Sequence, residues 1–358
     1  MKMIKIHKKA TPGYLDFDFD NIKFGQTMAD HMFIADFEDG VWKNIRIEPY
    51  GPITFGPSMM AFHYGQAIFE GMKATKTFDG LPVIFRPKEH AKRFNISARR
   101  MAMPEFPEDL FVEAIKTLVA LDQNWIPTGD DAALYIRPFM IATDEQLGVR
   151  TSKNYRMMVI CAPAGQYYSK PIKLLADTTY TRAAMGGIGF VKAAGNYAAS
   201  LLPAIEAKKK GYDQILWLDA KEHKYVQEVG TMNIFFVIDN VVITPSTNEK
   251  TILKGITRDS IISILKDKGY EVVEKKLSIA EVGAAHKNGT LTEIFGSGTA
   301  AVVSLVSDLS YKDETYHLGG TYEVATMVKK EINMIRQGLT KDKFNWLYPA
   351  VVDNDITV

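Results

Sequence analysis

Gly186-Gly187-Ile188-Gly189-Phe190-Val191-Lys192-Ala193-Ala194-Gly195-Asn196-Tyr197 sets a single lysine between an apolar pair and a run of very small residues. Surface lysines usually keep polar neighbours and a snorkelling stem, whereas glycine and alanine let other atoms approach the backbone closely. An ammonium withdrawn from water is disfavoured, so a neutral, nucleophilic amine becomes accessible. Such an amine condenses with a carbonyl. Taken alone, the stretch also suits an ordinary lysine beside a glycine-rich turn, and residues further along the chain decide between the two.

Outward from that lysine, 358 residues exceed what one hydrophobic core normally organises, so two domains are expected. A formal charge of +1, from 43 basic and 42 acidic residues spread along the chain, leaves no footprint for nucleic acid or an anionic membrane. Small-molecule chemistry is the better expectation. One cysteine, Cys161, excludes an intramolecular disulfide framework and a cysteine-rich zinc site, and its setting in Met157-Met158-Val159-Ile160-Cys161 reads as a buried strand. No apolar run approaches ~18 residues and no leader is legible, so a cytoplasmic location without membrane contact is expected.

The elements form an α/β pattern. Residues up to about 60 alternate short β-like runs with turns, then Leu81 to Arg86 reads as a strand leading into a helix that carries Lys92, Arg93, Arg99 and Arg100. A second helix is expected from Phe106 to Leu121, and strands at Ala133 to Arg137 and Met157 to Ala162. Pro163 to Pro171 breaks the pattern, giving an N-terminal domain over 1–163, a linker over 164–175 and a C-terminal domain over 176–358. In the second half a helix runs through Leu201, Leu202 and Ile205 to Lys208-Lys209-Lys210-Gly211, and Asp239-Asn240 turns one strand into the next. Thr257 to Lys268 is amphipathic, and Ser278 with Glu281 makes a capping box.

Four further pieces carry chemistry. Glu228, in Gln227-Glu228-Val229-Gly230-Thr231-Met232-Asn233, borders apolar strand material and needs a proton or a cationic partner there. Gly255-Ile256-Thr257-Arg258 opens a helix whose N–H groups form an anion site. Gly296-Ser297-Gly298-Thr299 reads as a glycine-rich turn that also presents amides to phosphate. Arg93 can add a permanent charge to the same anion. Each piece has a plain structural reading, but the competing motifs lack their minimum parts: no G-x-G-x-x-G follows a strand, no P-loop or H-E-x-x-H occurs, and G-S-G around Ser297 is not a G-x-S-x-G elbow. No metal is expected.

Together these segments, in this order, resemble a branched-chain amino-acid aminotransferase. His63-Tyr64-Gly65, Phe69-Glu70-Gly71, Tyr135-Ile136-Arg137-Pro138 and Leu147-Gly148-Val149 extend the resemblance over essentially the whole chain. It implies the pyridoxal-phosphate fold of type IV: two α/β domains with pyridoxal 5'-phosphate at their interface, working as homodimers or larger assemblies. By the same resemblance Lys192 bonds the cofactor's aldehyde, Arg93 and the amides of Ile256, Thr257 and Thr299 hold its phosphate, Tyr197 faces its phenolic oxygen, and Glu228 pairs with its ring nitrogen. The resemblance also points to Phe24, Tyr64, Phe69, Tyr135, Tyr167, Thr231 and Ala300 as the lining of the substrate pocket, with the loop of Leu147 and Val149 from the dimer partner; separately, period-two alternation puts Arg137 on the face of Tyr135, where it is expected to meet the distal carboxylate of glutamate. Animal members carry Cys-x-x-Cys where this chain reads Ala301-Val302-Val303-Ser304, so no thiol switch is expected.

The activity implied is transamination between leucine, isoleucine or valine and 2-oxoglutarate. A D-amino-acid aminotransferase or an aminodeoxychorismate lyase would keep the same lysine and glutamate. A catalytically silent binding protein on this fold is the rival from another class.

Overall fold

The computed structural model describes residues 4–165 and 170–351. Tyr167, expected in the substrate pocket, lies outside the described residues, as does part of 164–175. The chain divides into two compact units: Met1–Tyr167 with Lys192–Ala194 and Asn333–Val358, and Tyr168–Val191 with Gly195–Ile332.

The first unit is built on a sheet of nine strands among the described residues. Its centre is the antiparallel pair Ala133–Ala142 and Tyr155–Ala164, in unbroken register from Ala133 opposite Ala164 to Ala142 opposite Tyr155. Both strands are longer than their apolar cores suggest, because Pro138 and Pro163 are accommodated within the ladder. The helix Pro87–Arg100 starts with proline in its first turn, where a missing N–H costs nothing. It buries Ala91, Phe94 and Ala98, and Phe94 meets Phe111 of the helix Glu108–Leu121 with ring centroids 5.4 Å apart. Each fully buried phenylalanine contributes about 1.5–3 kcal/mol by leaving water. On the same helix Lys92, Arg99 and Arg100 are exposed, as expected of a solvated face, whereas Arg93 is buried.

Lys192–Ala194 belongs to this first unit although the chain on either side belongs to the second. Ala193 bridges Ile68 in the manner of a short strand, and the Phe69 N–H donates to the Lys192 carbonyl at 3.1 Å. Cys161 is buried in the same unit, and burial pushes its thiol well up, so it behaves as an inert core group.

The second unit has a mixed sheet, again of nine strands among the described residues. Asn233–Ile238 lies between Val241–Pro245 and Leu291–Gly298, with Asn233 opposite Ser297. Asp239 and Asn240 take φ of 51° and 63°, the left-handed pair that a two-residue hairpin turn requires. Ser278 caps the helix Ile279–Lys287 with both halves of the capping box formed. One expectation is corrected. Gly296 to Gly298 continues a strand, since its backbone pairs with both Asn233–Ile238 and Val302–Tyr311, and the turn begins only at Thr299. The helix Leu201–Lys209 buries Pro203 and Ala207, leaving Leu201, Leu202 and Ile205 exposed.

Ser278→Ala removes the side-chain half of the capping box that receives the Glu281 N–H. Denaturant unfolding should show a loss of about 1 kcal/mol, with turnover unchanged at 25 °C; no loss would mean that the Glu281 side chain alone satisfies that helix end.

Candidate active site

In the first unit a buried carboxylate organises the surroundings of the lysine. Glu70 is fully buried; Arg93 donates from Nε to Oε1 at 2.7 Å and from Nη2 to Oε2 at 2.8 Å, and His90 Nδ1 lies 2.7 Å from Oε2. Burial alone would raise the Glu70 carboxyl, but the charge and hydrogen bonds of Arg93, with His90, outweigh it and hold the group well below the usual carboxylate range. Burial pushes the His90 imidazole down, so it is neutral and donates its Nδ1–H to the carboxylate. Arg93 is thus a fixed cation with a set orientation.

One turn beyond Arg93, Ser97 gives its hydroxyl proton to the Arg93 carbonyl at 3.2 Å and accepts the Lys192 N–H at 3.0 Å. With the Phe69 N–H on its carbonyl, Lys192 is tied on both sides of its peptide. Its Nζ stands 4.6 Å from the Phe69 ring centroid, and the Arg137 guanidinium lies at the same distance. Arg137 also donates to the Tyr135 hydroxyl at 3.0 Å, as alternation along the strand places both on one face. Gly71 makes room for that hydroxyl, with which a Cβ at this position would collide. Phe24 meets Tyr135 edge to face at 5.1 Å. Arg137 forms no ion pair with any carboxylate among the described residues, and its Nε has no partner among them. Tyr64 accepts the Gly148 N–H at 2.6 Å, fixing the loop that carries Leu147 and Val149, both exposed.

In the second unit Glu228, Tyr197 and Thr231 line one cleft together with Arg182, Val191, Asn196 and Gly230. Glu228 Oε2 meets Arg182 Nη2 at 2.5 Å and Oε1 accepts from Asn233 Nδ2 at 3.0 Å. The cationic partner that its burial demanded is therefore supplied by the chain. Asn233 also donates to the Leu253 carbonyl at 2.9 Å, and a Cβ at Gly255 would collide with its amide oxygen. Gly255 is the N-cap of the helix Ile256–Asp267 and gives it no side-chain hydrogen bond, so Ile256 and Thr257 stand in its first turn, the end of a helix that can hold an anion. Thr299 and Ala300 are half-buried in the turn after Ser297, the residue opposite Asn233 in the sheet. Ser297 itself is buried and its hydroxyl has no partner among the described residues, so no base there activates it as a nucleophile.

Residues 67–308 match the amino-transferase class IV family. The chain belongs to that family. A branched-chain-amino-acid transaminase of Bacillus subtilis is 47% identical over 337 residues, covering 92% of this chain and 94% of its own length. The branched-chain amino acid aminotransferase of Escherichia coli matches with a TM-score of 0.74 at 29% identity, over 90% of this chain and 99% of that one. The T.th. enzyme of the same name, solved with N-(5'-phosphopyridoxyl)-L-glutamate, matches at 0.72 and 30% identity, over 89% and 98%. Family membership makes the chain an aminotransferase of the branched-chain group and brings pyridoxal 5'-phosphate as its cofactor. The D-amino-acid and lyase alternatives are not favoured.

Each unit taken by itself holds groups of the kind that such a cofactor uses: the first an arginine held by a buried carboxylate and a lysine tied at its backbone, the second a helix start at Gly255 and a buried carboxylate at Glu228. Four positioning groups escaped the sequence reading. Glu70 stands in Phe69-Glu70-Gly71 with no role of its own and Arg182 is not singled out, although each is a lone charge among apolar or small neighbours. Ser97 and Asn233 gave no signal, because a small polar residue on a helix or at a strand start is ordinary.

Glu70→Gln leaves the Arg93 guanidinium without its carboxylate in a buried site, a change that costs about 3 kcal/mol or more. A carboxyl held low in the fold stabilises above its unfolded value of ~4.3 and loses that contribution as pH falls toward the folded one. Denaturant unfolding should therefore show the variant weaker at pH 7, with the gap to the parent narrowing between about pH 5 and about pH 3. A gap independent of pH would indicate lost packing rather than a lost charge.

Proposed function

We propose that the chain transaminates leucine, isoleucine and valine with 2-oxoglutarate through the residues assigned above. Pyridoxal 5'-phosphate, when bound, supplies the electron-withdrawing ring that stabilises negative charge at the substrate Cα. Lys192 binds its aldehyde and, once displaced by substrate, moves the proton at Cα as base and then acid. What supports this reading most directly is the anchoring of Lys192 by Ser97 and Phe69, which fixes its backbone while the amine stays at the end of a flexible stem.

Arg93, held by Glu70, and the amides of Ile256, Thr257 and Thr299 bind the phosphate. Tyr197 faces the phenolic oxygen, and Glu228 keeps the ring nitrogen protonated. Phe24, Tyr64, Phe69, Tyr135, Thr231 and Ala300, with Tyr167, exclude water from the substrate side chain. Leu147 and Val149 are assigned to the pocket of a second copy in a cytoplasmic homodimer. Their exposure supports that assignment. Among the described residues no helix is long and apolar enough to cross a membrane.

The two half-reactions need one pocket for an aliphatic side chain and an acidic one. Arg137 is assigned to the distal carboxylate of glutamate, since its charge rests on Phe69 and Tyr135 and no acidic side chain among the described residues competes for it. For leucine it remains stacked on those rings.

Purified protein should be yellow, and borohydride should fix the cofactor to Lys192. Lys192→Ala should lose that covalent link and nearly all turnover while folding normally; turnover near the parent's would end the assignment. Separately, Arg137→Met should raise KM for glutamate and 2-oxoglutarate by roughly tenfold more than for leucine, the loss of a charge-assisted hydrogen bond. Equal changes in both half-reactions, followed by the cofactor's spectrum, would make Arg137 a structural residue.

A further inference from the structure

We infer that Arg182 is a positioning residue for the reaction: it holds Glu228 ionised and aimed, and so sets how strongly the cofactor ring draws electrons. The inference rests on the reading of Glu228 as the partner of the ring nitrogen. It starts from an interaction that structural stability alone does not require, since replacing a buried ion pair by apolar residues is often neutral or stabilising.

The geometry is that of a clamp rather than a chance contact. Arg182 Nη2 meets Glu228 Oε2 at 2.5 Å, and the two side chains are only 10% and 5% exposed. The same Nη2 lies 2.9 Å from the Gly189 carbonyl and 2.5 Å from that of Thr251. Two carbonyls from separate segments therefore hold the guanidinium in place. On the other oxygen, Asn233 donates to Oε1 while anchored to the Leu253 carbonyl. A carboxylate has about four lone-pair sites. The ion pair at one oxygen and the Asn233 amide at the other orient the carboxylate, and these two contacts alone do not exhaust its capacity.

The cleft that Glu228 lines is shared by Arg182 and Tyr197, so the pair borders the space where a ligand would sit. The consequence for chemistry follows from charge. A carboxylate buried beside neutral groups takes up a proton. A protonated Glu228 would no longer hold the ring nitrogen in its cationic form, and the ring would become a poorer electron sink. Arg182 prevents this by offsetting the electrostatic cost of burying that carboxylate. The arginine sits ten residues before Lys192, at the start of the glycine-rich segment leading to it, so the cation that tunes the ring and the amine that attacks at its edge are carried by one short stretch of chain.

The test compares Arg182→Gln, Arg182→Lys, Glu228→Gln and the double glutamine variant as full-length, cofactor-loaded protein. Arg182→Gln should reproduce Glu228→Gln: the same direction of change in the cofactor's visible absorption, a single-turnover rate for leucine at least tenfold slower, and little change in cofactor retention, which the phosphate governs. The double variant should be no slower than Glu228→Gln alone, because both substitutions act through one carboxylate. In cofactor-free protein, carbon-13 NMR of the glutamate carboxyls should show Glu228 titrating at higher pH once Arg182 is glutamine. Parent-like absorption and single-turnover rate in folded Arg182→Gln would overturn the inference, as would fully additive losses in the double variant. Should Arg182→Gln fail to fold, Arg182→Lys decides: lysine keeps the charge but cannot reach Glu228, Gly189 and Thr251 together, so the rate should fall at least threefold, and an unchanged rate overturns the inference. If Glu228→Gln itself leaves spectrum and rate untouched, the fault lies in the assignment of Glu228 rather than in the role of Arg182.

Discussion

The first unit depends on one buried carboxylate. Glu70 sits where water cannot reach it, and only Arg93 and His90 make that tolerable. Because Arg93 and His90 both lie on the helix Pro87–Arg100, satisfying Glu70 fixes that helix in rotation and height against the segment Phe69-Glu70-Gly71. Ser97, one turn further along, is then in place to receive the Lys192 N–H, and the Phe69 N–H, next to Glu70, reaches the Lys192 carbonyl. The lysine's backbone is located by the same helix that carries the cation, so an error at Glu70 would propagate to both.

Sheet register plays the corresponding part in the second unit. Pairing Asn233 with Ser297 puts the end of one strand beside the start of the Thr299 turn, and Asn233 in turn reaches Glu228 and the loop into the helix Ile256–Asp267. A one-residue slip would point Asn233 to the opposite face and separate these groups. Gly255 is required by the same packing, since any side chain there would collide with the Asn233 amide.

Much of this was legible from residue order. Hairpin chemistry at Asp239-Asn240, the capping box at Ser278 and Glu281, and the apolar stripes of the helices from Pro87 and Glu108 are local signals, and local geometry obeys them. The helix Leu201–Lys209 also stops where its lysines and Gly211 mark an end, while the face it buries, through Pro203 and Ala207, is set by tertiary packing. Gly296-Ser297-Gly298 suggested a turn because glycine frees the backbone, yet pairing on both edges keeps it extended. The lysine, Glu228 and Arg137 could be singled out as lone charges in apolar or small settings. Their partners could not be: Glu70 with Arg93 spans 23 positions, Ser97 with Lys192 spans 95, and Arg182 with Glu228 is likewise remote in sequence, so only folding identifies them.

Arg137 rests on two aromatic faces and a tyrosine hydroxyl, all neutral groups, and this shapes how the pocket changes between tasks. A cation resting on ring faces is held with less directional constraint than one forked to a carboxylate. A carboxylate in the same place would have locked it with directional bonds and made every acidic visitor a competitor for an existing partner. On the assignment proposed for Arg137, the wall would serve as a greasy surface in one half-reaction and as a counter-ion in the next. On that same assignment, side chains that are polar but uncharged would be disfavoured, because they neither cover the rings well nor offset the cost of drawing the cation away.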